Sequence, residues 1–191
     1  LIVREIIVPP EVYAASAEFV RLAYSGMRDQ RRSINDKVDQ IKAGKVAEWA
    51  FCEFVRINAS VIFQPDFAIY PTLDGVDQGD IRDSTGRSLD LDVKAVKENA
   101  NYLLVKKAEH CHSEVYVTVV VEEDGIVDIQ GWVRKEVALA SLLPAGHCIP
   151  GTRTPLRVSN YYTRLFDMRR SNADVLELLQ LIVGGKLWKN P

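Results

Sequence analysis

The sequence predicts an α/β sandwich in a single domain, and three observations carry that expectation. Apolar residues recur at helical spacing near both ends, the period switches to two between residues 61 and 133, and no internal repeat or low-complexity linker divides the 191 residues. At 47% hydrophobic and 26% charged, the chain is large enough to bury a core without covalent staples.

The first helix is expected after Pro9-Pro10, with Val12, Ala15, Phe19 and Leu22 on one face. A second runs from near Ser33 to about Ile57, with Gly44 a place for it to bend. VIFQPDFAIY (61–70) reads as a strand interrupted or begun at Pro65, which has no N–H for a ladder. GDIR and SLDLDVKAV pair as a hairpin, and ANYLLVKKAEH (100–110) reads as a short helix. EVYVTVVV (114–121) reads as a central strand and IVDIQGWV (126–133) as the strand after an EEDG turn. A short helix is expected around Glu136 to Leu142, then a loop at PAGHCIPGTRTP. A last amphipathic helix should run from a cap at Ser171 or Asn172 to Gly184-Gly185.

The formal net charge of −2 and pI of about 6.0 advertise no nucleic-acid partner, although RDQRR, VKK, VRK and MRR form short basic clusters. Three cysteines, Cys52, Cys111 and Cys148, lack framework spacing and fit a reducing, cytoplasmic setting. No apolar run reaches the roughly 18 residues of a membrane span. The first residue is Leu1, so a targeting segment removed ahead of it is compatible with the sequence.

The chemistry concentrates in GDIRDSTGRSLDLDVKAVK, residues 79–97. Asp83 and Gly86 suit the first and fourth positions of a type I turn with a left-handed glycine. Counting outward, Asp83 faces Arg87, Arg82 faces Ser88, Ile81 faces Leu89 and Asp80 faces Asp90. Cross-strand partners share a face, so Asp80, Asp90, Asp92 and Lys94 lie on one side and Ile81, Leu89, Leu91 and Val93 on the other. Clustered carboxylates raise one another's pKa unless a cation sits among them, and a hard divalent ion is an economical solution. A wet strand face whose acids pair with Arg82 and Arg87 explains the same pattern.

A second signal is Glu48, which shares a helix face with Ile41, Gly44, Cys52 and Val55. A glutamate on a packed face needs a partner, and a metal or a lysine would serve. Glu53 is the rival on the same helix.

The order of GKVAE on a helix, an acid in a hairpin (GD), acid-x-lysine (DVK), then NYLLVKK and VYVTVVV resembles the PD-(D/E)XK nuclease superfamily, the restriction-endonuclease-like fold, over about Gly44 to Val121. The resemblance implies a mixed β-sheet flanked by helices, with a catalytic core at about 34–135 and an extension over 136–191. It implies that Asp80 and Asp92 bind Mg²⁺, with Mn²⁺ able to substitute, and that the Val93 carbonyl is a further ligand. Lys94 would orient or activate the attacking water, and Glu48 would be an added metal ligand or a supporting acid. DNA is the implied substrate and a homodimer the implied assembly, since cutting two strands needs two sites. Gly79 stands where the family has proline, so Asp66, in the one Pro-Asp pair, is the alternative first acid. The second acid is aspartate rather than the commoner glutamate. Lys97, Lys106 and Lys107 read as phosphate contacts or surface lysines.

HCH (110–112) and HC (147–148) match no familiar zinc spacing. Trp49, Trp132 and Trp188 read as packing residues. No Gly-rich phosphate loop or Gly-x-Ser-x-Gly elbow is present, which removes the commonest nucleotide-hydrolase and serine-hydrolase readings. The alternative to a nuclease is a noncatalytic nucleic-acid-binding or assembly protein that keeps the fold.

Overall fold

The computed structural model describes residues 2–24, 34–67, 81–98, 100–106, 113–122, 125–150, 152–153, 155–156 and 158–189. Strand β1 (Glu5–Ile7) leads into helix α1 (Pro10–Tyr24), whose first position is a proline with no N–H to leave unpaired. Helix α2 (Ile34–Ala59) runs unbroken through Gly44 and ends where Ser60 turns left-handed (φ 56°) and donates its N–H to the Arg56 carbonyl. Short strands β2 (Gln64–Pro65) and β3 (Ile81–Arg82) pair antiparallel, and β4 (Leu91–Val96) carries the acid-x-lysine motif. Then come β5 (Tyr102–Lys106), β6 (Val115–Val121), β7 (Ile126–Arg134), α3 (Lys135–Ala138), β8 (Leu142–Leu143), β9 (Asn160–Arg164), a 3-10 turn (Leu165–Asp167) and α4 (Asn172–Val183).

The main sheet is mixed, in the order β1-β7-β6-β4, with β4 parallel to β6 and the other pairs antiparallel. Strand β6 is buried on both faces, as its unbroken apolar run requires. One face, bearing Leu91, Val93, Val117, Val119 and Ile129, packs on α2 and α4 around Phe51, Phe54 and Leu178. The other face, bearing Tyr116 and Val133, packs on a second sheet of order β5-β9-β8 through Leu103 and Val105. The sandwich is therefore helices, mixed sheet, small antiparallel sheet. No helix among the described residues is long and apolar enough to cross a membrane.

Three expectations change. Residues 100–110 do not form a short helix: 102–106 are strand β5, paired with β9, with Leu103 and Val105 buried in alternation. In the 61–70 segment only Gln64–Pro65 is strand among the described residues, and 68–70 lie outside them. The helix placed at Glu136 to Leu142 is one turn, Lys135–Ala138, and Leu142 belongs to strand β8. Strands β1 and β9 were not anticipated. The last helix starts as expected: the Ser171 hydroxyl accepts from the Asp174 N–H while the Asp174 carboxylate accepts from the Ser171 N–H. Trp132 is fully buried, its indole N–H donating to the Asp174 carbonyl at 2.7 Å.

Register slips by one residue between Thr118 and Val119, leaving Gln130 as the extra residue of a bulge in β7. Beside it, Trp132 and Arg169 exchange backbone hydrogen bonds of 3.1 and 2.9 Å. A Cβ on Gly131 would sit 2.8 Å from the Arg169 carbonyl oxygen, a backbone atom that cannot swing aside. Gly131→Ala is expected to lower stability by about 1–3 kcal/mol in urea unfolding. An unchanged midpoint would show that this backbone relaxes freely.

Candidate active site

The hairpin that delivers β4 is held by local chemistry. The Asp83 carboxylate accepts from the Thr85 N–H (2.9 Å), the Thr85 hydroxyl (2.7 Å) and the Arg87 N–H (2.9 Å), and these bonds hold its pKa below the usual carboxylate range. Gly86 takes the left-handed conformation (φ 84°) that closes the turn. Asp83 N–H bonds to the Arg87 carbonyl, Arg82 bridges Ser88, and Leu89 N–H bonds to the Ile81 carbonyl. This is the register counted from the sequence. Asp80 lies outside the described residues, and so does its expected pairing with Asp90.

A segment from far along the chain closes the free side of the hairpin. Asp90 N–H donates to the Leu187 carbonyl at 2.6 Å and Lys189 N–H to the Ser88 carbonyl at 3.0 Å. The Arg87 guanidinium lies 4.3 Å from the centre of the Trp188 ring. Asp90 also accepts from the Glu114 N–H at 3.3 Å, which ties it to the start of β6.

On β4 the alternation is as expected. Leu91 and Val93 are buried toward the helices, and Asp92 and Lys94 share the opposite face. There the Lys94 ammonium lies 2.6 Å from Asp92 Oδ2, with the two side chains 37% and 17% exposed. Their lateral neighbours on β6 are Tyr116 and Thr118, both fully buried.

Glu48 is only 6% exposed, as its helix position predicted, and its partner is a lysine one turn earlier on α2. Lys45 Nζ donates to Glu48 Oε2 and to the Asp66 carbonyl, both at 2.7 Å, and lies 4.9 Å from the centre of the Phe19 ring. The Asp66 carboxylate pairs with Arg82 at 2.8 Å. One polar chain thus links Glu48, Lys45, Asp66 and Arg82, joining α2 to the first strand of the hairpin. Sequence reasoning left Lys45 unnamed, although a lysine three residues before a buried glutamate was the available signal. Nearby, burial and the Glu48 charge push the Cys52 thiol well above its ordinary range, so it is a packed, unreactive group. Glu53 pairs with Arg56 toward solvent.

The structure therefore brings Asp92 and Lys94 together and draws Glu48 and Asp66 into a separate ion-paired chain. Helix α2 packs on the face of the main sheet opposite the Asp92–Lys94 pair. Lys97 is exposed, His147 and Cys148 sit on an exposed loop, and Lys107, His110, Cys111 and His112 lie outside the described residues. Among the described residues no group of three His, Cys, Asp or Glu side chains is arranged to hold a metal ion. Asp92 offers Oδ1 beside the oxygen that meets Lys94, a donor that suits a hard cation, while Asp80 lies outside the described residues. No family model, no curated protein and no solved structure matches the chain.

Proposed function

We propose that the chain is a metal-dependent endonuclease that hydrolyses DNA phosphodiester bonds, with Asp80, Asp92 and Lys94 as its working residues. The observation that carries this reading is the Asp92–Lys94 pair, 2.6 Å apart on one face of a strand whose other face is core. Asp80 and Asp92 would hold Mg²⁺, or Mn²⁺ in its place, while Glu48, paired with Lys45 on the helix across the sheet, stands apart from that ion. When bound, the ion lowers the pKa of a coordinated water and offsets charge developing on the phosphate.

The protein's own contribution is placement. The hairpin keeps Asp92 at a fixed height on the strand, and Lys94, two residues on, sets an ammonium beside it. From there Lys94 can orient a water by hydrogen bonding and meet the growing negative charge of the transition state. Glu48, matched by Lys45, is better suited to positioning the hairpin through Asp66 and Arg82 than to accepting a proton. DNA as substrate and a homodimer as the assembly for double-strand cutting are parts of the same proposal.

A second reading has its own support. Lys94 and Lys45 already offset the charges of Asp92 and Glu48, so both acids are tolerated without a metal. On that basis the chain is a noncatalytic nucleic-acid-binding or assembly protein that keeps the fold. Supercoiled plasmid incubated with Mg²⁺ or with EDTA separates the two. The nuclease reading expects nicking or linearisation in Mg²⁺ that disappears in EDTA and in Asp92→Asn. Binding without cutting under either condition supports the second.

A further inference from the structure

We propose that the outer face of the small β5-β9-β8 sheet is a stacking platform that binds single-stranded nucleic acid. The proposal deepens the nuclease reading, on which it rests for the class of its partner. Alternation along β5 sends Leu103 and Val105 into the core and leaves Tyr102 and Leu104 on the opposite face. Cross-strand register sets Arg164 opposite Tyr102 and Tyr162 opposite Leu104. The two tyrosine rings lie 6.1 Å apart, both half-buried, with Arg164 exposed beside them. Just past Arg164, Leu165 N–H bonds to the Asn101 carbonyl at 3.0 Å, holding the next residue at the Tyr102 end of the sheet. That residue is Phe166, 87% exposed.

Exposed and half-exposed rings beside a guanidinium fit unpaired bases and a phosphate backbone, whereas the bases of a duplex keep their faces stacked away. Charge distribution points the same way. Arg164 sets a positive charge beside the rings, and neither β5 nor β9 carries an Asp or Glu, Asp167 just past Phe166 being the next acid along the chain. Topology adds a third argument. The small sheet covers the face of the main sheet that bears Tyr116, the face Asp92 and Lys94 share, while α2 and α4 cover the other. A strand lying on the platform is therefore on the candidate site's side of the molecule.

The test is fluorescence anisotropy of the full-length chain with a labelled oligothymidylate in EDTA. The native protein is expected to bind it, with the two tyrosine rings supplying much of the affinity. The Tyr102→Ala/Tyr162→Ala pair should weaken binding at least about tenfold, while the Tyr102→Phe/Tyr162→Phe pair, which keeps both rings, binds as the native protein does. Arg164→Ala should reduce the slope of log K against log salt by about 0.7. If the alanine pair fails to fold by circular dichroism, Phe166→Ala carries the test, because its exposed ring has little packing to lose; a loss of about fivefold is expected. Native-like binding by the folded alanine variants, or no measurable binding, would each overturn the proposal. Ring-dependent binding with no cleavage would sink the nuclease reading and leave the platform standing, and cleavage with ring-independent binding would do the reverse.

Discussion

Lys94→Ala is expected to lower Mg²⁺-dependent plasmid cleavage by about 10²–10³-fold, the usual cost of removing one positioned donor from a charge-stabilising site. Stability should change little, because the ion pair it breaks is partly exposed, and exposed pairs are worth about 0–1 kcal/mol. Such a split between activity and stability is the mark of a residue that works on substrate. The variant carries a second readout: losing the ammonium next to Asp92 leaves that carboxylate without its cation. The Mg²⁺ concentration for half-maximal binding should therefore fall, measured by calorimetry with the metal alone. A cleavage rate within twofold of native would remove Lys94 from the mechanism, and a higher Mg²⁺ requirement would mean that Lys94 helps rather than competes at Asp92.

Glu48→Ala is expected to have the largest effect on folding. It removes the counter-charge of a Lys45 ammonium whose side chain is 12% exposed, leaving it the neutral Asp66 carbonyl and the Phe19 and Phe67 rings, and breaking a buried pair from one side costs about 3–5 kcal/mol. Lys45→Met/Glu48→Met removes both charges and should recover most of that loss in urea unfolding. A folded double variant that still cuts DNA would make Glu48 purely structural, and one that folds and cannot cut would put its carboxylate back in the site. A single-variant loss below about 1 kcal/mol would show that water reaches the pair.

These outcomes bear on how far the fold and site were readable from residues. The hairpin was legible in detail because its determinants are local: Asp83 and Gly86 set the turn, and the Ile81–Leu89 and Arg82–Ser88 register follows by counting. The facing of Asp92 and Lys94 came from strict alternation, which allows two answers and which the packed Leu91 and Val93 decide. Strand β5 was misread because YLLV suits either a helix or a strand, and its partner β9 lies more than fifty residues away. Strand β9 itself, NYYTR, has no apolar stripe and is recruited by its neighbours, so pattern alone could not find it. Glu48 was correctly placed on a packed face, but whether a lysine or a metal answered its charge depended on the rotamer of Lys45.

The contact of Leu187, Trp188 and Lys189 with Ser88, Leu89 and Asp90 also bears on how the protein is made. At translation rates of about 5–20 residues per second, the strand bearing Asp92 leaves the ribosome on the order of 5–20 s before the stretch that clamps its hairpin. Until then the unclamped border of that ribbon is exposed, with its amide and carbonyl groups open to pairing with another nascent chain. Rapid synthesis, or a chaperone covering that border, would favour solubility during expression, and a stop codon placed shortly before Leu187 would prolong the vulnerable interval indefinitely.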